Sequence, residues 1–593
     1  MRIQKRFLAE PRLRFQSMRA PQVKFPPIDL SKPEHARTDL KIGCIATAQL
    51  EAMLQYEARI YPIPEKGWSD FLTEIAPDII LLESCFARQN GEWAHAMGQI
   101  GAQGENLRSL LNFARKRQIP TVYWMTATNG LEAYFAPVAA LCDLSYACDA
   151  VSLAAIKRHR SDAQLLLAAV QPSMHNPFKL QWLRSALDID ILFTGWGPGL
   201  DAGLLEEVFS NCGFDIYAIQ SPREADVPQL PGWLSKYWRG LSDNLQMLTL
   251  MRYAKTSLDP SPFMQDACLD WTNFALSASG SLVFHLGIIE KGDHRRGVIQ
   301  AEKDVLSLTQ SLQAHIADND LRARASLLAR RQLYSQHTIA HRLHRICQNT
   351  GLLFDWDEFP LVSVVTPSFR PHLIPKVIEQ FKDQAYPNKE LFIILNSDEP
   401  MPEEAVGLVA RYSNVHLFGL PRERTIGESL NIGIAQASGK YCFKMDDDDL
   451  YGEHYLLDLI QAAEAVNADL FGRPPTYVYQ NNDDIIYVRK KEPNENVIMN
   501  REGIENRLWI GGNTLSGKTK LFKRILFSKD IVGASDTEFQ CQFEPSAYKV
   551  CLMDRFNMAA VRETDLSLHT WRANFEIQST LGPLAEKRHL VFF

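Results

Sequence analysis

The sequence predicts an α/β protein in which two parallel-sheet units stand in tandem and a third α/β domain follows. Three observations carry this. The chain has 593 residues, too many for one hydrophobic core and, at roughly 150 residues per domain, enough for three or four domains. From residue 40 onward, short apolar runs rich in β-branched residues alternate with helical stretches, the pattern of a parallel sheet covered by helices. That pattern restarts at Asp188 and again at Leu361. The expected divisions are an arm at 1–39, α/β units at 40–185 and 186–350, a linker at 351–360 and a domain at 361–593.

Composition narrows the class. With 46% hydrophobic and 22% charged residues, the make-up is ordinary for a globular protein. A net charge of −7 argues against a nucleic-acid binder, which would carry a strongly basic domain. The ten cysteines show no CxxC pairs or metal-ligand spacing, which suits reduced thiols. No apolar run reaches the roughly 18 residues of a membrane span, and the start lacks the apolar core of a signal peptide. The expected location is the cytoplasm. Arg2, Lys5, Arg6, Arg12, Arg14, Arg19 and Lys24 face a single Glu10 in the first residues, either a solvated tail or an arm for peripheral contact with the inner membrane face or a partner.

In the first unit, strands are expected within Leu40–Thr47, Pro77–Cys85, Pro120–Ala127, Cys142–Asp149 and Gln164–Pro172, with a helix at Asn106–Arg117. The second opens with an apolar strand running into Gly195, Gly197 and Gly199, then a helix at Ala202–Cys212 and a strand at Phe214–Ile219. Those glycines either let a phosphate approach a helix N-terminus or make a tight turn. A strand at Ser279–Gly287 precedes a long helical stretch, Ala301–Asn349, whose basic face reads as solvated surface. The third domain opens with a buried strand, Leu361–Phe369, that ends in a polar turn. A helix at His372–Ala385 and strands at Glu390–Asp398 and Asn414–Leu420 follow.

The stretch KYCFKMDDDDL, Lys440–Leu450, then passes from an apolar strand into Asp446, Asp447, Asp448 and Asp449. Four adjacent carboxylates are stable as a solvated loop or when neutralised by a hard divalent cation such as Mg²⁺ or Mn²⁺. Strand periodicity sends Asp446 and Asp448 to one side and Asp447 to the other. Farther on, Asp536 in GASDTEFQCQ stands where a helix begins, the position of a cap. GNTLSGKT, Gly512–Thr519, satisfies a P-loop pattern, but the roughly 75 residues after it are too few for the domain a P-loop needs, so the match reads as coincidence.

Taken together, VSVVTPSF, LFIILNSD, IGESLNIGIAQASG and KMDDDD resemble, in order and spacing, the inverting family 2 glycosyltransferases of GT-A fold, over about Val362 to His569. The resemblance implies a nucleotide-sugar donor, UDP- or GDP-linked, held by Thr366, Pro367, Ser368, Asn396, Asp398, Asn431 and Asp446. It implies Mn²⁺ or Mg²⁺ on Asp446 and Asp448, with His569 as a further ligand or a packed side chain. Asp536 is the implied base, Glu538 its alternative. Trp509, Gly511 and Gly512 are implied on the acceptor side, where Trp509 either stacks on a sugar or is buried. The acceptor would be a glycan or lipid-linked glycan in surface polysaccharide synthesis, such as lipopolysaccharide or capsule. Gly427 and Gly433 match the family's helix beneath the donor, where helix packing explains them equally well. The two units before this domain resemble, in layout, the Rossmann-like halves of CgeB-like GT-B glycosyltransferases. There TNFALSASG has Thr272 and Ala275 where that group carries Arg and Glu, which implies an acceptor-binding or scaffolding module. A bifunctional enzyme with a second active site, or a non-catalytic glycan-binding protein, are the other readings.

Overall fold

The structure, a computed structural model, describes residues 36–593 except 99–100, 127–129, 181–188, 195–199, 211, 213–214, 220–232, 234–236, 243, 265–269, 490–494, 500–508, 531–534, 545 and 563–576. The arm up to residue 35, the Gly195–Gly199 turn and His569 lie outside the described residues.

The first sheet contains β1 (Lys41–Ile45), β2 (Arg59–Pro62), β3 (Ile79–Glu83), β4 (Thr121–Met125), β5 (Leu144–Ala147) and β6 (Gln164–Leu165). They lie in the order β2-β1-β3-β4-β5-β6, all parallel. Every residue of β3 and β4 is buried, because helices cover both faces and such strands read as continuous apolar runs. A short strand, β7 (Lys179–Leu180), follows. The second sheet has β8 (Ile189–Phe193), β9 (Asp215–Ile219), β10 (Trp238–Ser242), β11 (Ala254–Leu258), β12 (Leu282–Leu286) and β13 (Gln300–Glu302). Its order is β10-β9-β8-β11-β12-β13, again parallel.

The stretch expected as one long helix is divided. After β13 come helices α1 (Val305–Ala317), α2 (Asn319–Gln336) and α3 (Ile339–Thr350). Asp318 accepts from the Leu321 amide and Thr338 forms a capping box with His341, so each restart has its own cap. The basic face is also not simply solvated: Arg330, Arg331 and Arg342 are buried. Arg342 donates to the Leu167 and Ala168 carbonyls at 2.8 and 2.7 Å. Arg331 makes a two-pronged pair with Asp458, at 2.7 and 2.9 Å.

The remaining strands are β14 (Val362–Ser368), β15 (Lys389–Asn396), β16 (Val415–Leu420), β17 (Tyr441–Lys444), β18 (Leu450–Tyr451), β19 (Leu470–Gly472), β20 (Tyr477–Gln480), β21 (Ile485–Arg489), β22 (Val497–Ile498), β23 (Ser516–Lys518), β24 (Val550–Leu552), β25 (Met558–Arg562) and β26 (Ile577–Pro583). A nine-stranded sheet runs β16-β15-β14-β17-β23-β19-β24-β22-β7, and a five-stranded one runs β18-β25-β20-β21-β26. The first four strands of the large sheet are parallel, and β23 joins β17 antiparallel. The helices that position the site are α4 (Ile426–Gln436), α5 (Tyr455–Val466) and α6 (Ser535–Cys541).

The N-terminal units are joined to this domain through its core. Strand β7 pairs with β22, Lys179 opposite Val497 and Leu180 opposite Ile498, and Phe178 is buried in the same apolar cluster as β14 and α5. The Arg331–Asp458 pair links α2 to α5. Among the described residues, nine cysteines are free thiols and no helix is long and apolar enough to cross a membrane.

Candidate active site

The site forms where β17 ends beside the adjacent, parallel β14, which runs on to Ser368. Beyond β17, the Met445 amide still donates to the Val365 carbonyl at 3.2 Å and the Asp446 amide to the Tyr451 hydroxyl at 2.8 Å. The acid run therefore leaves the sheet at a fixed place.

Its four carboxylates fall into two kinds. Asp447 and Asp449 are buried and serve inside the fold. Ser368 donates to Asp447 at 2.5 Å, and the Arg370 guanidinium grips the same carboxylate. Asp449 accepts from the Asn513 amide at 2.5 Å and from the Val561 N–H at 2.8 Å. Burial, with Asp448 and Asp446 adding repulsion, pushes the Asp449 carboxyl up to about 7. Asp446 and Asp448 keep 31% and 23% of their side chains exposed and face cations: Lys444 Nζ is 2.7 Å from Asp446, and Arg370 is 2.9 Å from Asp448.

Lys444 closes β17 and is itself buried. Its Nζ also donates to the Gly512 carbonyl at 2.9 Å and lies 3.5 Å from Asp536. Burial alone would lower its pKa, but Asp446 and Asp536 outweigh this and hold the ammonium charged. Asp536 stands in the first turn of α6. Burial raises its pKa above the usual carboxylate value, and Lys444 opposes the rise. Gly512 is essential to this approach, since a Cβ there would lie 2.2 Å from Asp536 Oδ2. Gln540 fixes the far end of α6 by bonds to both the N–H and the carbonyl of Ile510, at 3.0 and 3.1 Å.

The other expected residues are distributed around this centre. Thr366 is buried and its hydroxyl has no hydrogen-bond partner among the described residues, while Pro367 is half-buried beside it. The Asn396 amide is engaged within the fold, donating to the Arg424 carbonyl and accepting from Ser429, both at 2.8 Å. Asn431 likewise bridges both backbone groups of Phe527 at 2.9 Å. Asp398 is exposed and accepts from the Arg422 N–H at 3.1 Å. Trp509 is half-buried, and the Gly511 N–H donates to the Arg473 carbonyl at 2.8 Å. Glu538 accepts from Gln542 at 2.9 Å. The P-loop pattern spans a turn and β23, where Lys518 pairs with Asp469 at 2.8 Å, so it forms no phosphate-binding loop.

Sequence reading missed Lys444, Arg370 and Asn513. The available signal was a charged residue inside an otherwise apolar strand, FKM, just before the acids, and an arginine just after the polar turn of β14.

Residues 363–530 match the sequence profile of glycosyl transferase family 2, and the chain therefore carries a glycosyltransferase domain of that family. Solved structures similar to this chain include a mannosyltransferase, PcManGT from Pyrobaculum calidifontis in complex with GDP-Man and Mn²⁺, at 16% identity and a TM-score of 0.26, over 35% of this chain and 57% of that one. Another is S. aureus TarS 1-349 in complex with UDP-GlcNAc, at 18% identity and a TM-score of 0.27, over 34% of this chain and 58% of that one. The chain thus spans less than two thirds of either protein. No curated protein matches it in sequence.

Proposed function

We propose that the chain transfers a sugar from a UDP- or GDP-linked donor to an acceptor hydroxyl, with inversion at the anomeric carbon. The observation that carries this reading is the meeting of Asp446 and Asp536 on one buried ammonium, Lys444, in a domain matching glycosyl transferase family 2. Asp536 takes the acceptor proton as the acceptor oxygen bonds to the anomeric carbon, and the bond from that carbon to the diphosphate oxygen breaks on the opposite face. Thr366, whose hydroxyl has no partner among the described residues, contributes to donor binding at the end of β14.

A divalent ion fits the residues present. Mg²⁺ and Mn²⁺ take oxygen ligands, and Mg²⁺ commonly binds one or two carboxylates with phosphate oxygens and water completing the set. Asp446 and Asp448 are the two acids of the run left partly exposed, and among the described residues no larger His/Cys/Asp/Glu cluster gathers as a ligand set. These two would hold the ion, which when bound neutralises charge on the departing diphosphate. The acceptor we assign, a growing surface glycan such as lipopolysaccharide or capsule, rests on the family resemblance. It would place the enzyme in the cytoplasm or at the inner membrane face.

The test is nucleotide release from a panel of UDP- and GDP-sugars with Mn²⁺, Mg²⁺ or chelator. Asp536→Asn is expected to lower kcat by about 10²–10⁴-fold with donor binding retained. Full activity in that variant would remove Asp536 as the base. Turnover that survives Asp448→Asn together with Asp536→Asn would locate catalysis in the N-terminal units instead.

A further inference from the structure

We propose that Lys444 is the positioning residue for the proton acceptor, a single ammonium that fixes Asp536 in place relative to the acid run. The inference rests on the transferase reading above. The three oxygens around Lys444 Nζ, Asp446 Oδ1 at 2.7 Å, Gly512 O at 2.9 Å and Asp536 at 3.5 Å, come from three separate segments: the acid run just past β17, the turn before β23, and α6. A lysine carries three donors on one nitrogen, so this one group ties all three together. Its 5% exposure leaves little water to compete.

Two features make Asp536 dependent on that tie. Helix α6 is anchored toward its C-terminal end, by Gln540 on Ile510 and by Phe539 stacked on Phe527 with ring centroids 3.8 Å apart, whereas Asp536 is in its first turn. Asp536 Oδ1 has no hydrogen-bond partner among the described residues, so Lys444 is what orients the carboxylate. Without Lys444, Asp446 and Asp536 would face each other as like charges, and Asp536 is the one able to swing away. In this role Lys444 works through Asp536. It acts by setting the distance between the group that receives the proton and the acids that face the donor.

The test uses the full chain with Lys444→Met, Lys444→Gln and Lys444→Arg, read by crystal structure, thermal midpoint and steady-state kinetics. In the Met variant, or the Gln variant should Met not be tolerated, the Asp536 carboxylate is expected to move away from Asp446. Its kcat should fall about 100-fold, as misplacement of a reacting group does, with donor KM within about threefold. Lys444→Arg should recover at least about tenfold of that loss. Added to Asp536→Asn, Lys444→Met should cost less than about threefold more, because the two residues act as a unit. An unmoved Asp536, or losses that multiply in the double variant, would overturn the proposal. Displacement of Asp536 in a protein whose wild type turns over no nucleotide sugar would uphold the positioning and overturn the transferase reading.

Discussion

Gly512 and Asp536 approach more closely than any side chain at 512 allows, since an added Cβ would sit 2.2 Å from Oδ2. Gly512→Ala is therefore expected to displace the carboxylate and lower kcat by about 100-fold, while the thermal midpoint stays close to wild type because the clash falls on a side chain at the edge of the site. Kinetics and a melting curve on one preparation would check this. The wild-type pH profile follows from the same residue. Burial raises the Asp536 pKa above the ordinary carboxylate value of about 3.9, and the base works only when ionised. If Asp536 is the base proposed above, activity should be present above that raised pKa and lost as pH falls through it, an acid limb absent from whatever activity remains in Asp536→Asn. At this scale the acids were legible in the sequence, because a run of carboxylates at a strand end is unusual by itself. Their cations were not. Lys444 reads as one polar residue in an apolar strand, and nothing local says that its carboxylate partners include one 92 positions away.

Helix α4 shows how an element is seated to hold the site. Its N-terminal turn is tied to β15 through Ser429 and Asn396, its middle to the Phe527 backbone through Asn431. Gly433 rests directly on the sheet: a Cβ there would lie 2.4 Å from Val365 Cγ1 and 3.3 Å from Ile394 Cγ1. Gly433→Ala is expected to destabilise the protein by about 1–3 kcal/mol through overpacking, measured as a lower denaturant midpoint with unchanged slope. The buried strands β3, β4, β8, β14, β15 and β17 were foreseeable because burial on both faces leaves continuous apolar runs, whereas the partly exposed β2 and β13 carry no such run and β10, β11, β19, β22, β23 and β24 were not expected. The division of 301–349 was missed although Asp318 and Thr338 are ordinary cap residues, since helical periodicity continues on either side of each break. Its basic face looked solvated because the partner of Arg331 lies 127 residues away, a pairing that no local pattern encodes.

At the scale of the molecule, that Arg331–Asp458 pair belongs to a seam where the tandem units and the glycosyltransferase domain share structure. Asp458 is fully buried and also accepts from Asn557 at 2.9 Å. Arg331→Met should cost about 3–5 kcal/mol, since it leaves a buried carboxylate without its main counter-charge. Urea unfolding of the full chain would measure it, and a loss under about 1 kcal/mol would mean the pair is a surface-like contact. The seam also sets a timetable for making the protein. Strand β7 is complete once residue 180 has been synthesised, but its partner β22 begins at residue 497. At ribosomal rates of about 5–20 residues per second, β7 must wait roughly 15–60 s before its neighbour exists. Throughout that interval the nascent chain presents the edge of β7 that β22 will pair with, an opening for a chaperone or for a neighbouring chain on the same message.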